Sequence, residues 1–142
     1  LTVAGTRQTV HGGAALSEDG ALWEKVISSV RPGRGAARRF VGVSYRDESS
    51  EARYDYLAGT ETRSGRSSRG QDVVSVPANS YAVFKHRGPL STVSRILDQA
   101  TWWWLPRSEY IPASPTLLRF ESTAVGSPDF SAELWVPIRP EP

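Results

Sequence analysis

The sequence predicts an α+β fold in which a strand-helix-strand-strand unit occurs twice. Its strands form one antiparallel sheet, with two helices on one face and a ligand groove between the halves. Three observations carry that expectation. Two segments repeat apolar residues at helical spacing, short alternating segments flank each of them, and a stretch of serine, glycine and arginine separates the two sets.

Leu1 to Val10 alternates small apolar and polar residues and is expected as an edge strand, broken at His11, Gly12 and Gly13. A helix follows. Ser17 is placed as its N-cap, and Glu18 and Asp19 put negative charge in its first turn. Leu22, Trp23, Val26, Ile27 and Val30 recur at helical spacing until Pro32 and Gly33 end the pattern. Arg39 to Tyr45 is short, apolar and β-branched, hence a strand; Tyr54 to Thr62, after the polar turn Asp47 to Ser50, is its hairpin partner. Thr62 to Gly70 has no apolar anchor and is expected as a surface connection. In the second set, Val73 to His86 is a strand interrupted at Pro77, Ala78 and Asn79. Ser91 to Trp104 is a helix with Val93, Ile96, Leu97, Ala100 and Trp104 on one face, stopped by Pro106. Leu117 to Ser122 and Ala132 to Ile138 are the last strands, parted by Gly126, Ser127 and Pro128. The expected organisation is one domain over 1–142, with pseudo-repeats at about 1–62 and 73–140 and a linker at 63–72.

Composition removes several functions. At 142 residues, 39% hydrophobic, the chain supports one compact core. Without cysteine it forms no disulfide, thiolate zinc site or cysteine nucleophile. Seventeen basic residues against 15 acidic ones leave a net charge of only +2, no indication of nucleic acid. The arginine clusters Arg31, Arg34, Arg38, Arg39 and Arg63, Arg66, Arg69 lack interleaved aromatics and are expected as solvated loops. No apolar run approaches a membrane span and no signal-peptide pattern is present, so the expectation is a soluble, cytoplasmic protein. No phosphate loop, dinucleotide fingerprint, nucleophile elbow or zinc-protease motif occurs, and no cofactor or metal is expected. His11 and His86 lie in different halves without a partner at metal-ligand spacing; His86, just before Gly88 and Pro89, is expected to hydrogen-bond across that turn.

The aromatic residues carry more. Tyr54 and Tyr56 share one strand face, Trp135 is central on the last strand, and Trp23 and Trp104 lie on the apolar faces of the two helices. They either converge on the seam between the halves or are simply core. Trp102, Trp103 and Trp104 cannot all point inward from one helix, because neighbours are about 100° apart.

The segment Val76-Pro-Ala-Asn-Ser-Tyr-Ala-Val-Phe-Lys-His-Arg-Gly-Pro89 resembles the signature of GyrI-like small-molecule-binding domains, the effector-binding domains of some AraC-family and MerR-family regulators. Tyr54-Asp-Tyr56-Leu-Ala-Gly59, Trp104-Leu-Pro106, Glu133-Leu-Trp135-Val-Pro137-Ile138 and Leu22-Trp23 extend the resemblance over the whole chain. It implies a bacterial multidrug-type binding domain that accepts hydrophobic, often cationic or aromatic compounds. Some free-standing members resemble hydrolases that open strained rings. The family's typical buried glutamate, followed two residues later by tyrosine, falls here on Leu118 and Phe120. Removing one partner of a buried charge pair costs about 2 to 5 kcal/mol, whereas an aromatic face offers a cation about 0.5 to 2 kcal/mol. Cation preference is therefore expected to fall, and the family's general acid or base is missing. Glu121 is adjacent, but alternation sends it to the opposite face unless a bulge turns it inward.

The reading is a non-enzymatic domain whose pocket, lined by Trp23, Tyr54, Tyr56, Trp104, Leu118, Phe120 and Trp135, takes a flat, mostly apolar aromatic small molecule. Having no helix-turn-helix, it makes no direct nucleic-acid contact. It serves either a fused DNA-binding domain in transcription regulation or, free-standing, sequestration or a protein partner. The alternatives are a ring-opening hydrolase, with Glu121 or Tyr54 and Tyr56 positioning water, and a protein-interaction module using Trp102, Trp103 and the arginine loops.

Overall fold

Ten elements follow from the two apolar periods. The computed structural model describes residues 1–11, 20–29, 39–46, 53–62, 71–113, 115–121 and 124–140. They are β1 (Thr2–His11), α1 (Gly20–Ser29), β2 (Phe40–Arg46), β3 (Arg53–Glu61), β4 (Asp72–Ser75), β5 (Ser80–Arg87), α2 (Val93–Gln99), β6 (Tyr110–Pro112), β7 (Thr116–Phe120) and β8 (Ser131–Pro140). The predicted caps and stops at Ser17, Glu18, Asp19, Pro32 and Gly33, with Gly12, Gly13, Val30, the turn Asp47 to Ser50, Ser122 and the connection 63–70, lie outside the described residues.

All strand pairs are antiparallel, in the order β4-β1-β3-β2-β7-β8-β5, with β6 beside the end of β8. The wiring repeats. β1-α1-β2-β3 gives the spatial order β1-β3-β2, and β5-α2-β7-β8 gives β5-β8-β7. The two units meet at the β2–β7 ladder, where Gly42 stands opposite Leu118.

β4 and β5 occupy opposite edges of that order, yet only residues Val76 to Asn79 join them. Six inter-strand spacings would hold the edges of a flat sheet about 29 Å apart. The connection reaches at most about 19 Å. The sheet therefore curls until its edges approach, and its two faces become two separate cores. On the outer face α1, α2 and the turn that follows α2 pack Leu22, Trp23, Val26, Val93 and Ala100 against Phe40, Tyr56, Leu118, Phe120 and Leu134. The inner face, against which no helix among the described residues packs, buries Val3, Val41, Val43, Leu57, Val76 and Leu117, with Tyr45, Tyr81 and Trp135 packed beside them.

Three expectations change. β1 is not an edge strand, because Thr2 to Gly5 pair with β4 on the side away from β3. The second helical segment does not stop at Pro106: a 3₁₀ turn (Leu90–Thr92) leads into α2, a π-helical turn (Ala100–Trp104) follows, and a last α-turn runs Leu105–Arg107. Pro106 sits at the start of that last turn, where a missing N–H breaks no helical hydrogen bond. Ser108 closes it, its N–H and hydroxyl both donating to Leu105 O, at 3.1 and 2.8 Å. Third, β6 arises where the alternation was too short to read; Pro112 and Pro115 set it off from β7.

The tryptophan run behaves as the helical period requires. Trp102 and Trp103 are 75% and 61% exposed, and Trp104 turns partly inward.

Candidate functional site

At the seam between the halves, α1 delivers Trp23, which has no exposed surface. Its indole Nε1–H donates to Tyr56 Oη at 3.1 Å, pairing the polar atoms of two buried rings. The Trp23 ring meets Phe120 of the second half edge-on at 4.7 Å, and Phe40 and Tyr56 of the first half at 6.3 Å. Phe40 and Phe120, opposite each other across the β2–β7 ladder, stack at 5.2 Å, and Phe130 meets Phe120 at the same distance from the side. Tyr56 lies flat over β2 only because position 42 is glycine. A β-carbon there would run into the tyrosine hydroxyl.

Four of the seven predicted site residues come together here: Trp23, Tyr56, Leu118 and Phe120, all buried. Trp104 joins the edge of the same core, wedged between Phe84 at 5.5 Å and Tyr110 at 6.4 Å. Tyr54 lies on β3 opposite Val10 and Arg46; its side chain is outside the described residues.

Trp135 does not converge with the others. It faces Leu117 across the β7–β8 ladder while Leu118 faces Leu134, so the pleat sends it to the inner face. There it packs against Tyr81 at 5.4 Å with the Arg119 guanidinium 4.7 Å above its ring. Glu121 also stays away from the seam, exposed and paired with Arg39 at 3.6 Å. The sequence reading missed Phe40 and Phe130. Phe40 was legible, since it shares a strand face with Gly42 one pleat period away; Phe130 follows a turn, and no local period marks it.

No carboxylate is buried among the described residues. His86, 8% exposed, performs the expected turn contact. The Thr92 hydroxyl donates to Pro89 O at 2.7 Å and so accepts from His86 Nε2–H at 2.9 Å. Gly88, at φ 135°, bends the chain between them. The histidine thus ties the end of β5 to the first turn of the second helical segment.

Residues 2–138 match the model of one protein family, Cass2, the integron-associated effector binding proteins. No curated protein matches the chain. In solved structures the fold recurs in an integron cassette protein from the mobile metagenome of Vibrio cholerae (18% identity, 98% of this chain and 90% of that one, TM-score 0.74). It recurs in SAV2435 bound to tetraphenylphosphonium (17% identity, 98% and 88%, TM-score 0.67) and in the C-terminal domain of EcmrR (12% identity, 99% and 92%, TM-score 0.63).

Proposed function

Since this chain belongs to the integron-associated effector binding protein family, we propose that its small-molecule site is the aromatic seam and that its ligand is flat, aromatic and uncharged. The observation that carries the reading is Leu118. It lies at the junction of the halves, 1% exposed, among Trp23, Tyr56 and Phe120, at the position where a GyrI-like domain typically carries its glutamate. SAV2435 takes a lipophilic cation. In this seam such a cation finds aromatic faces but no counter-charge, and desolvating it costs more than those faces return.

Trp23 fills the seam in the present conformation. A ligand enters by displacing the indole from Tyr56, giving up one hydrogen bond of about 1 kcal/mol. The Tyr56 hydroxyl, facing the ligand in place of the indole, then orients any acceptor the ligand carries. In this reading the domain is bacterial and cytoplasmic, and acts as the effector-binding part of a transcription regulator or as a free-standing sequestering protein.

Tryptophan emission, followed during titration with matched polycyclic aromatics, tests it. The neutral compound is expected to quench saturably with an affinity equal to or better than its cationic partner. Leu118→Glu is expected to reverse that order. Tighter binding of the cation by the unaltered protein overturns the assignment.

A further inference from the structure

A groove of about 960 Å³ opens at the end of the sheet where β7 ends and β8 begins. The ladder between these two strands stops early there. It runs from Leu117–Trp135 to Arg119–Glu133. One step further, β2 still holds Phe120 opposite Phe40 and β5 still holds Ala132 opposite His86, but Phe120 and Ala132 are not partners of each other. Beyond the last pair the sheet is not closed between β7 and β8, and both residues line the groove.

The same two residues belong to the helix-side core, so the groove reaches the seam. Of the seam's rings only Phe120 lines it, and Trp23 meets Phe120 at 4.7 Å. Ala132, 5% exposed, brings to the gap only a methyl group. On the rim a lysine and three arginines stand among carboxylates, Lys85 opposite Glu133 in the β5–β8 register and Arg87 against Asp129 at 3.1 Å. Charges so interleaved exert little net pull on a compound of either sign, which leaves size to decide what is admitted. We infer that this gap is the way into the seam and that Ala132 sets its width; the inference rests on the seam being the ligand site. A flat ring arriving edge-first passes between Phe120 and the Ala132 methyl and comes upon Trp23, the side chain it displaces.

Stopped-flow quenching of tryptophan emission by 9-anthracenemethanol, a flat neutral probe, tests the assignment. Ala132→Val adds two methyl groups at the gap, and its association rate is expected to fall about tenfold. Dissociation is expected to slow alike and leave Kd within about twofold, because a constriction obstructs both directions equally. Ser131→Phe places a ring at the mouth, on an exposed residue that lines the groove, and is expected to slow association about threefold. Urea midpoints verify the fold of each variant; should Ala132→Val prove unstable, Ser131→Phe carries the test alone. Unchanged association in the folded variants overturns the passage and leaves the seam reading standing. A loss of affinity carried by faster dissociation alone overturns it too, since Ala132 is then a wall of the bound ligand. Absence of quenching in the unaltered protein overturns the seam reading itself, and the passage with it.

Discussion

The two halves share one wiring and differ in what fills it. In the first, Gly42 stands opposite Ala58, and Tyr56, two residues before Ala58, folds over the glycine to meet Trp23. In the second, Leu118 stands opposite Leu134, and two residues before Leu134 stands Ala132, which lines the groove of about 960 Å³ at the end of the sheet where β7 ends and β8 begins. An aromatic plug in one half thus corresponds to a methyl group in the other. The half with the plug is closed. The half without it carries the groove, the exposed Trp102 and Trp103 and the buried His86. One backbone plan can hold a packed site and an open one at once, because filling is decided by single side chains rather than by topology.

The largest break in that contrast is Trp23→Ala, which is expected to cost about 3–5 kcal/mol in urea denaturation. Trp104→Ala, in the second half, removes a ring that is only partly buried and is expected to cost clearly less. Equal losses would mean that both halves are packed alike. Tyr56→Phe comes next. It leaves the buried Trp23 N–H without its acceptor, a penalty of about 1–3 kcal/mol. Thr92→Val takes the shorter acceptor from His86 Nε2 but leaves Pro89 O at 3.4 Å, so the loss is expected nearer the bottom of that range, about 1 kcal/mol. Thermal melts of the two variants side by side give the order.

The smallest effect is a pH dependence on the inner face. Burial raises the Tyr45 phenol above its ordinary value of 10.0, against the pull of Arg7 and with a further push from Tyr81. The unfolded chain therefore loses this proton first. Stability is expected to be level below the ordinary value and to fall as pH rises from there to the folded value. Tyr45→Phe flattens that slope; urea midpoints across the alkaline range measure it.

Much of the fold was legible because both helices and most strands obey their own periods. Within one strand the faces were legible too. Leu118 and Phe120 lie together on the helix face, and Glu121 stays outside in its pair with Arg39. What the sequence did not carry is the phase of one strand relative to the next. Trp135 was grouped with Leu118, and a one-residue difference in register put them on opposite faces. The misplaced edge has the same origin: whether β1 is covered depends on the far residues Val73 and Val74. Pro106 failed as a stop signal because the π-turn before it starts a new helical turn, in which proline is accommodated.

The β2–β7 ladder also bears on how the molecule comes apart. The β-sheet hydrogen bonds that join the two strand-helix-strand-strand units run through its five residue pairs, from Phe40–Phe120 to Ser44–Thr116. Its partners stand far apart along the chain, so forming it means closing a long loop, whereas β2–β3 and β7–β8 each close a short one. Amide hydrogens in the ladder then report the docking of the halves, and those in β1–β3 and β5–β8 report each half's own integrity. Comparing their exchange rates separates undocking from unfolding.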